Sequence, residues 1–159
     1  MKNINIKRAV ILGLSLGIFF LVLNLWICKA EAQPSEESLR RKNRAAAVVV
    51  EVVYRNPIQK IEEGKLAFAV VLNTHSVDLD QYAIEKLSIL RDDKGNEIKA
   101  SAWDGPAGGG HHRSGRLFFS DKDTVGKPFI KLETKFIEVV IKGIAGENER
   151  VFHWDLPVK

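Results

Sequence analysis

The chain has 159 residues, with 24 Lys and Arg against 20 Asp and Glu, a net charge of +4 and 45% hydrophobic residues. Four of the basic groups (Lys2, Lys7, Arg8, Lys29) and none of the acidic ones fall in residues 1–30. The rest of the chain therefore balances 20 against 20, which excludes a general nucleic-acid footprint.

At the N-terminus, residues 9–27 form a run of 19 residues without a charge, preceded by Lys2, Lys7 and Arg8. A basic flank before an apolar run marks a secretory signal or a membrane anchor. The run exceeds the ~7–15 residues of a signal core and approaches the about 20 that span a bilayer, so both readings stand. Cleavage would use Ala30-Glu31-Ala32, an A-x-A site, and leave a chain beginning at Gln33. Retention would hold the N-terminus in the cytoplasm by the positive-inside rule. Cys28 is the only cysteine, which excludes an internal disulfide. Lipidation at Cys28 meets a bulky Ile27 where a small residue is wanted. Either way the chain beyond residue 32 is expected outside the cytoplasm, whether periplasmic, extracellular or anchored to the outer face of the membrane.

Residues 33–44 (QPSEESLRRKNR) are polar and charged and read as a leader or tether with at most a turn of helix. From Ala45 the composition turns to AAAVVVEVVY, a buried strand ending at Asn56-Pro57. In residues 65–73, Leu66, Phe68, Val70 and Leu72 share one face and Ala67, Ala69 and Val71 the other, the period of two that marks a strand. Residues 84–91 and 97–103 form a hairpin across Asp-Asp-Lys-Gly-Asn, and Tyr82 to Lys86 is the one place for a helical turn. Residues 115–120, 135–142 and 150–156 complete the strands, with Trp103, Phe152 and Trp154 in core positions. The expected fold is an all-β, antiparallel immunoglobulin-like β-sandwich of about seven strands, with a small barrel or jelly roll as the alternative. Its domains are a signal or anchor helix at 1–32, a linker at 33–44 and the sandwich at 45–159.

The chemistry of interest lies in the histidines. His75 follows the second strand in Thr-His-Ser-Val-Asp-Leu-Asp, and His111 and His112 follow the fourth in a loop with Asp104 and five glycines. In an antiparallel series the connections after strands two, four and six share one end. His75, Asp78, Asp80, Asp104, His111 and His112 are thus expected at one pole, with the 143–149 turn beside them. Imidazoles and carboxylates gathered from separate loops suit Zn²⁺ or Cu²⁺. No H-E-x-x-H or C-x-x-C spacing supports that reading, and adjacent His111 and His112 would point apart in extended chain. The competing account is that these histidines hydrogen-bond two loops together. His153 belongs on the polar face of the last strand, outside the core.

Three further readings are weaker. The glycine loop with Arg113 offers an anion-binding concavity but lacks G-K-[ST]. Ser76 or Ser114 beside a histidine lacks the G-x-S-x-G elbow of a hydrolase. Residues 121–126 begin like a calcium loop, but Leu132 stands where the closing carboxylate belongs, so a solvated turn at the opposite pole is the better account.

The stretches Thr74 to Leu79 (THSVDL), Gly109 to Gly115 (GGHHRSG) and Glu149 to Trp154 (ERVFHW) resemble a family of exported bacterial and archaeal proteins, each a signal or anchor followed by one such β domain. The resemblance covers about residues 64–156 and implies no settled activity. It implies that His75, His111 and His112 belong to the family's motifs and that the histidine position of the last motif varies. The function expected is a non-enzymatic binding module outside the cytoplasm that takes a transition metal, Cu or Zn, through the loop histidines. The alternative is a structural domain of the cell envelope that self-associates or pairs with an envelope protein through an edge strand, for which the valine-rich strand at 45–54 is the suspect.

Overall fold

The computed structural model describes residues 33–106 and 109–159. The expected signal or anchor, its A-x-A site, Cys28 and Trp26 lie outside the described residues. The unit from Gln33 to Lys159 is built of antiparallel strands in two sheets. The first sheet has the order β1 (Arg40–Ala45), β2 (Val48–Tyr54), β3 (Lys65–Thr74), β7 (His112–Ser120), β6 (Ala102–Asp104). The second has the order β5 (Glu97–Lys99), β4 (Ser88–Asp92), β8 (Phe136–Lys142), β9 (Glu149–Asp155). One helical turn, α1 (Ile84–Leu87), precedes β4.

Alternation along the strands makes the core. Val48, Val50, Val52, Phe68, Val70, Leu72, Leu117 and Phe119 turn inward from the first sheet, and Leu90, Ile137, Val139, Ile141, Phe152 and Trp154 from the second. Phe68 is the centre of an aromatic cluster. It stacks on Tyr54 at 4.9 Å, meets Phe119 edge-on at 5.7 Å and tilts against Trp154 at 5.4 Å. The indole N–H of Trp154 donates to the Leu39 carbonyl at 2.7 Å, so its polar atom costs nothing in burial. Phe152 and Trp154 are core residues as expected, while Trp103 is only half-buried.

Four expectations need correction. Residues 33–44 are not a free leader: Arg40–Ala45 is an edge strand, preceded by a turn that Ser35 caps. Its charges hid it, and they are held in place, Arg40 and Lys42 by Glu51 and Arg40 also by Glu36. The AAAVVV run is not one strand. Ala45 pairs with Val48 across Ala46 and Ala47, both of positive φ (43° and 62°), a two-residue hairpin turn in which alanine stands where Asn-Gly is usual. The valine-rich strand is in turn no edge, because β1 pairs with one side of β2 and β3 with the other. Finally, residues 97–103 are two strands, β5 in one sheet and β6 in the other, the chain changing sheets at Ala100-Ser101. The hairpin between β4 and β5 is as expected, with Gly95 at φ 79° and the Asp92 carboxylate accepting the amides of Lys94 and Asn96.

Candidate functional site

The end of β3 and the start of β7 are neighbours in one sheet, which places their loops together. Thr74, the last residue of β3, organises the first loop: its hydroxyl donates to the Ala47 carbonyl at 2.8 Å and accepts the amides of Ser76 and Val77. Its own amide donates to the His111 carbonyl at 3.0 Å, and the amide of Leu79 donates to the Gly110 carbonyl at 3.0 Å. The two loops thus pair along their backbones. Tyr82 brings in the turn between β8 and β9 by accepting the Ala145 amide on its hydroxyl at 3.0 Å.

The side chains complete this interlock. One oxygen of Asp80 accepts the amides of Gly109 (2.8 Å) and Gly110 (3.1 Å), and Asp78 accepts the amide of Asp80 at 3.0 Å. Gly109 has no room for a Cβ, which would strike the His112 carbonyl, and Gly110 has a φ of 58°. Beneath the loops Arg113 is buried, one guanidinium nitrogen donating to the carbonyls of Leu79 and Tyr82, both at 2.7 Å, with the group lying over the Trp103 ring at 5.7 Å. Sequence reasoning placed Arg113 only beside an anion loop. Its place in β7, directly after His112, is what turns it inward.

His111 and His112 are both exposed and both fixed at Nδ1. Nδ1 of His111 stands 3.0 Å from the Val77 carbonyl, which can only accept, so that nitrogen carries the proton and Nε2 keeps its lone pair. Nδ1 of His112 stands 2.8 Å from Oδ1 of Asn73, its direct partner across β3 and β7, with the same consequence. His75 is exposed, and its ring meets that of His112 edge-on with centroids 6.5 Å apart. A ring N–H anchored on an oxygen acceptor, with the second nitrogen open, is how histidine ligands to metals are held.

The expected carboxylates do not join them. Asp80 and Asp78 are engaged by loop amides, and Asp104 in β6 forms an ion pair with Arg116. Among the described residues no three His, Cys, Asp or Glu side chains gather as a metal-holding group. Imidazole nitrogens are therefore the donors on offer, a set that fits Cu²⁺ or Zn²⁺ and does not fit Ca²⁺.

No family model, curated protein or solved structure matches the chain. The fourth histidine, His153, lies on the outer face of the second sheet in the cross-strand row Arg91, Glu138, His153. Its Nδ1 is 3.0 Å from Glu138, its Nε2 is 3.2 Å from Asp155, and Arg91 donates to Glu138 at 2.8 Å. The ring also rests on Phe136 at 4.6 Å. The hydrogen bond to Glu138 raises the pKa of His153 above its ordinary value, with Asp155 acting the same way against the opposing effect of burial. With both nitrogens engaged, His153 is a surface charge link and not a free donor. Arg150, another residue that sequence reasoning passed over, is fully buried between β1 and the turn between β8 and β9.

Proposed function

We propose that this chain is a non-enzymatic, extracytoplasmic binding module whose histidine pole takes a transition-metal ion, Cu²⁺ or Zn²⁺. The ligands are Nε2 of His112 and a ring nitrogen of His75, with water completing the shell. The observation that carries this reading is the pair of anchored Nδ1 atoms. Val77 and Asn73 set the tautomers of His111 and His112, leaving Nε2 of each open as a donor. Export rests on the basic flank and apolar run of residues 1–32, and the resemblance in the histidine motifs agrees with it.

The finer description of the fold is immunoglobulin-like. With the edge strands β1 and β5 set aside, β2-β3-β7-β6 is first-second-fifth-fourth and β4-β8-β9 is third-sixth-seventh, an order that supports the reading as a seven-strand immunoglobulin sandwich with two added edge strands. Such a scaffold carries its variable chemistry on the loops at its ends, where the histidines stand.

The test is a titration of the full chain with Cu²⁺ and Zn²⁺, read by calorimetry and, for copper, by electron paramagnetic resonance. One ion per chain is expected, with nitrogen superhyperfine structure for copper. His112→Ala and His75→Ala should each abolish that binding with the thermal unfolding transition retained. Asn73→Ala, which frees Nδ1 of His112, should weaken it by about 10- to 100-fold. Absence of binding at micromolar ion, or binding unchanged in both histidine variants, would refute the site.

A further inference from the structure

The pole opposite the histidines carries an apolar surface that the metal reading does not use. An open groove of about 610 Å³ is lined by Tyr54, Pro57, Ile130, Leu132, Pro157 and Val158, together with Pro34 near the start of the described chain. Leu132 is fully exposed at its edge, and no other large apolar side chain among the described residues is as exposed. Leu132 and the apolar lining together form a contiguous apolar surface, and it is such a surface, not a lone exposed side chain, that marks an interaction site. Its surroundings are cationic. Lys131 lines the groove, Lys135 follows in sequence, and Arg41 and Lys159 line the adjoining hollow behind Pro157 and Val158, against the carboxylates of Asp155 and Glu133.

The chain enters at the same place. Residues 28–33, six in number, separate the last residue of the apolar run, Ile27, from Pro34 in the groove wall. Seven steps of extended chain reach at most about 25 Å. The headgroup layer beyond the hydrocarbon is about 5–8 Å thick, so a retained run keeps this groove within reach of the lipid surface at all times. An exposed apolar side chain next to Lys131, with Arg41 and Lys159 against Asp155 in the adjoining hollow, suits an interface whose headgroups are anionic.

We propose that this groove is a membrane-resting face, with Leu132 set among the headgroups and acyl ends of an anionic lipid surface. The proposal rests on the membrane-retained form of the exported chain and is independent of the metal site. It leaves the histidine pole facing away from the lipid.

A nitroxide beside Leu132 tests it without removing the leucine. The full chain carrying Cys28→Ser and Glu133→Cys is spin-labelled and reconstituted in vesicles of phosphatidylglycerol and phosphatidylcholine, with Gln81→Cys at the histidine pole as control. Expected is a rise in oxygen over water-soluble relaxant accessibility at 133 when detergent is replaced by vesicles, no rise at 81, and loss of the rise when Leu132→Asp is added. Equal, aqueous readings at 133 and 81 in vesicles that float with the protein overturn the proposal while leaving membrane retention standing. Protein that fails to float with the vesicles overturns both. Label-to-label broadening at 133 that disappears on dilution with unlabelled protein, in detergent and vesicles alike, assigns the groove to a second copy and overturns the lipid reading.

Discussion

Arg150 carries a positive charge into a site with no accessible surface. Among the described residues no carboxylate forms a salt bridge with it, though the charge of Glu147 favours its protonated form. Its guanidinium donates to Asn43 Oδ1 at 2.7 Å and to the carbonyls of Ala45 (2.8 Å), Val48 (3.3 Å) and Ile144 (3.5 Å). Burial lowers its pKa, yet an arginine so lowered stays charged across the working range. The fork thus fastens the hairpin of β1 and β2 to the turn between β8 and β9, across the two sheets. Arg150→Ala should lower stability to denaturant by about 2–4 kcal/mol, and Arg150→Lys should recover less than half, because one ammonium cannot meet acceptors on three segments. A loss within the ~0.5 kcal/mol of an ordinary surface change would refute that role. His153 gives a pH dependence. Its folded pKa is raised above 6.5 chiefly by Glu138, so the stability it contributes is complete below 6.5 and is lost as pH rises through the raised value. The midpoint of thermal unfolding should fall across that window in the parent chain, and the step should shrink in Glu138→Gln, where Asp155 still favours the charged ring; a step of undiminished size there would assign it to another group.

The turn between β1 and β2 is the element most at odds with its sequence. Two alanines hold positive φ where an L-residue pays roughly 1–2 kcal/mol each for the left-handed conformation. Replacing Ala46 and Ala47 by Asn and Gly should therefore stabilise the domain by about 1–2 kcal/mol, as measured by denaturant midpoint at unchanged m-value. No gain would mean that the turn is not left-handed. The same element explains what could be read in advance. Strand β3 was legible because Leu66, Phe68, Val70 and Leu72 alternate with smaller residues, β8 and β9 because Ile137, Val139 and Ile141, and Phe152 and Trp154, recur at a period of two, and β4 because a hairpin turn follows it. β1 was not, since Arg40, Arg41, Lys42 and Arg44 look like a tether until Glu51 and Glu36 are seen to receive them. The break between β5 and β6 has neither glycine nor proline to announce it. Grouping the loop histidines needed only strand direction, which alternation supplies. The engagement of Asp78 and Asp80 by loop amides depends on backbone geometry that no spacing rule conveys.

At the scale of the molecule the two ends have different chemistry. Asp80, Arg113 and Thr74 lock the loops of one end to each other, so the imidazoles stand on an ordered platform. The other end offers Leu132 and a groove. Strand β3 runs the length between them, its ten residues from Lys65 to Thr74 spanning about 33 Å. At physiological ionic strength the potential of a charged lipid surface decays over about 8 Å, so that span is some four decay lengths. If the groove rests on lipid as proposed, a cation binding at the histidine end would meet the bulk concentration of ions, neither enriched nor depleted by the surface, and its affinity would be the same on anionic and neutral membranes.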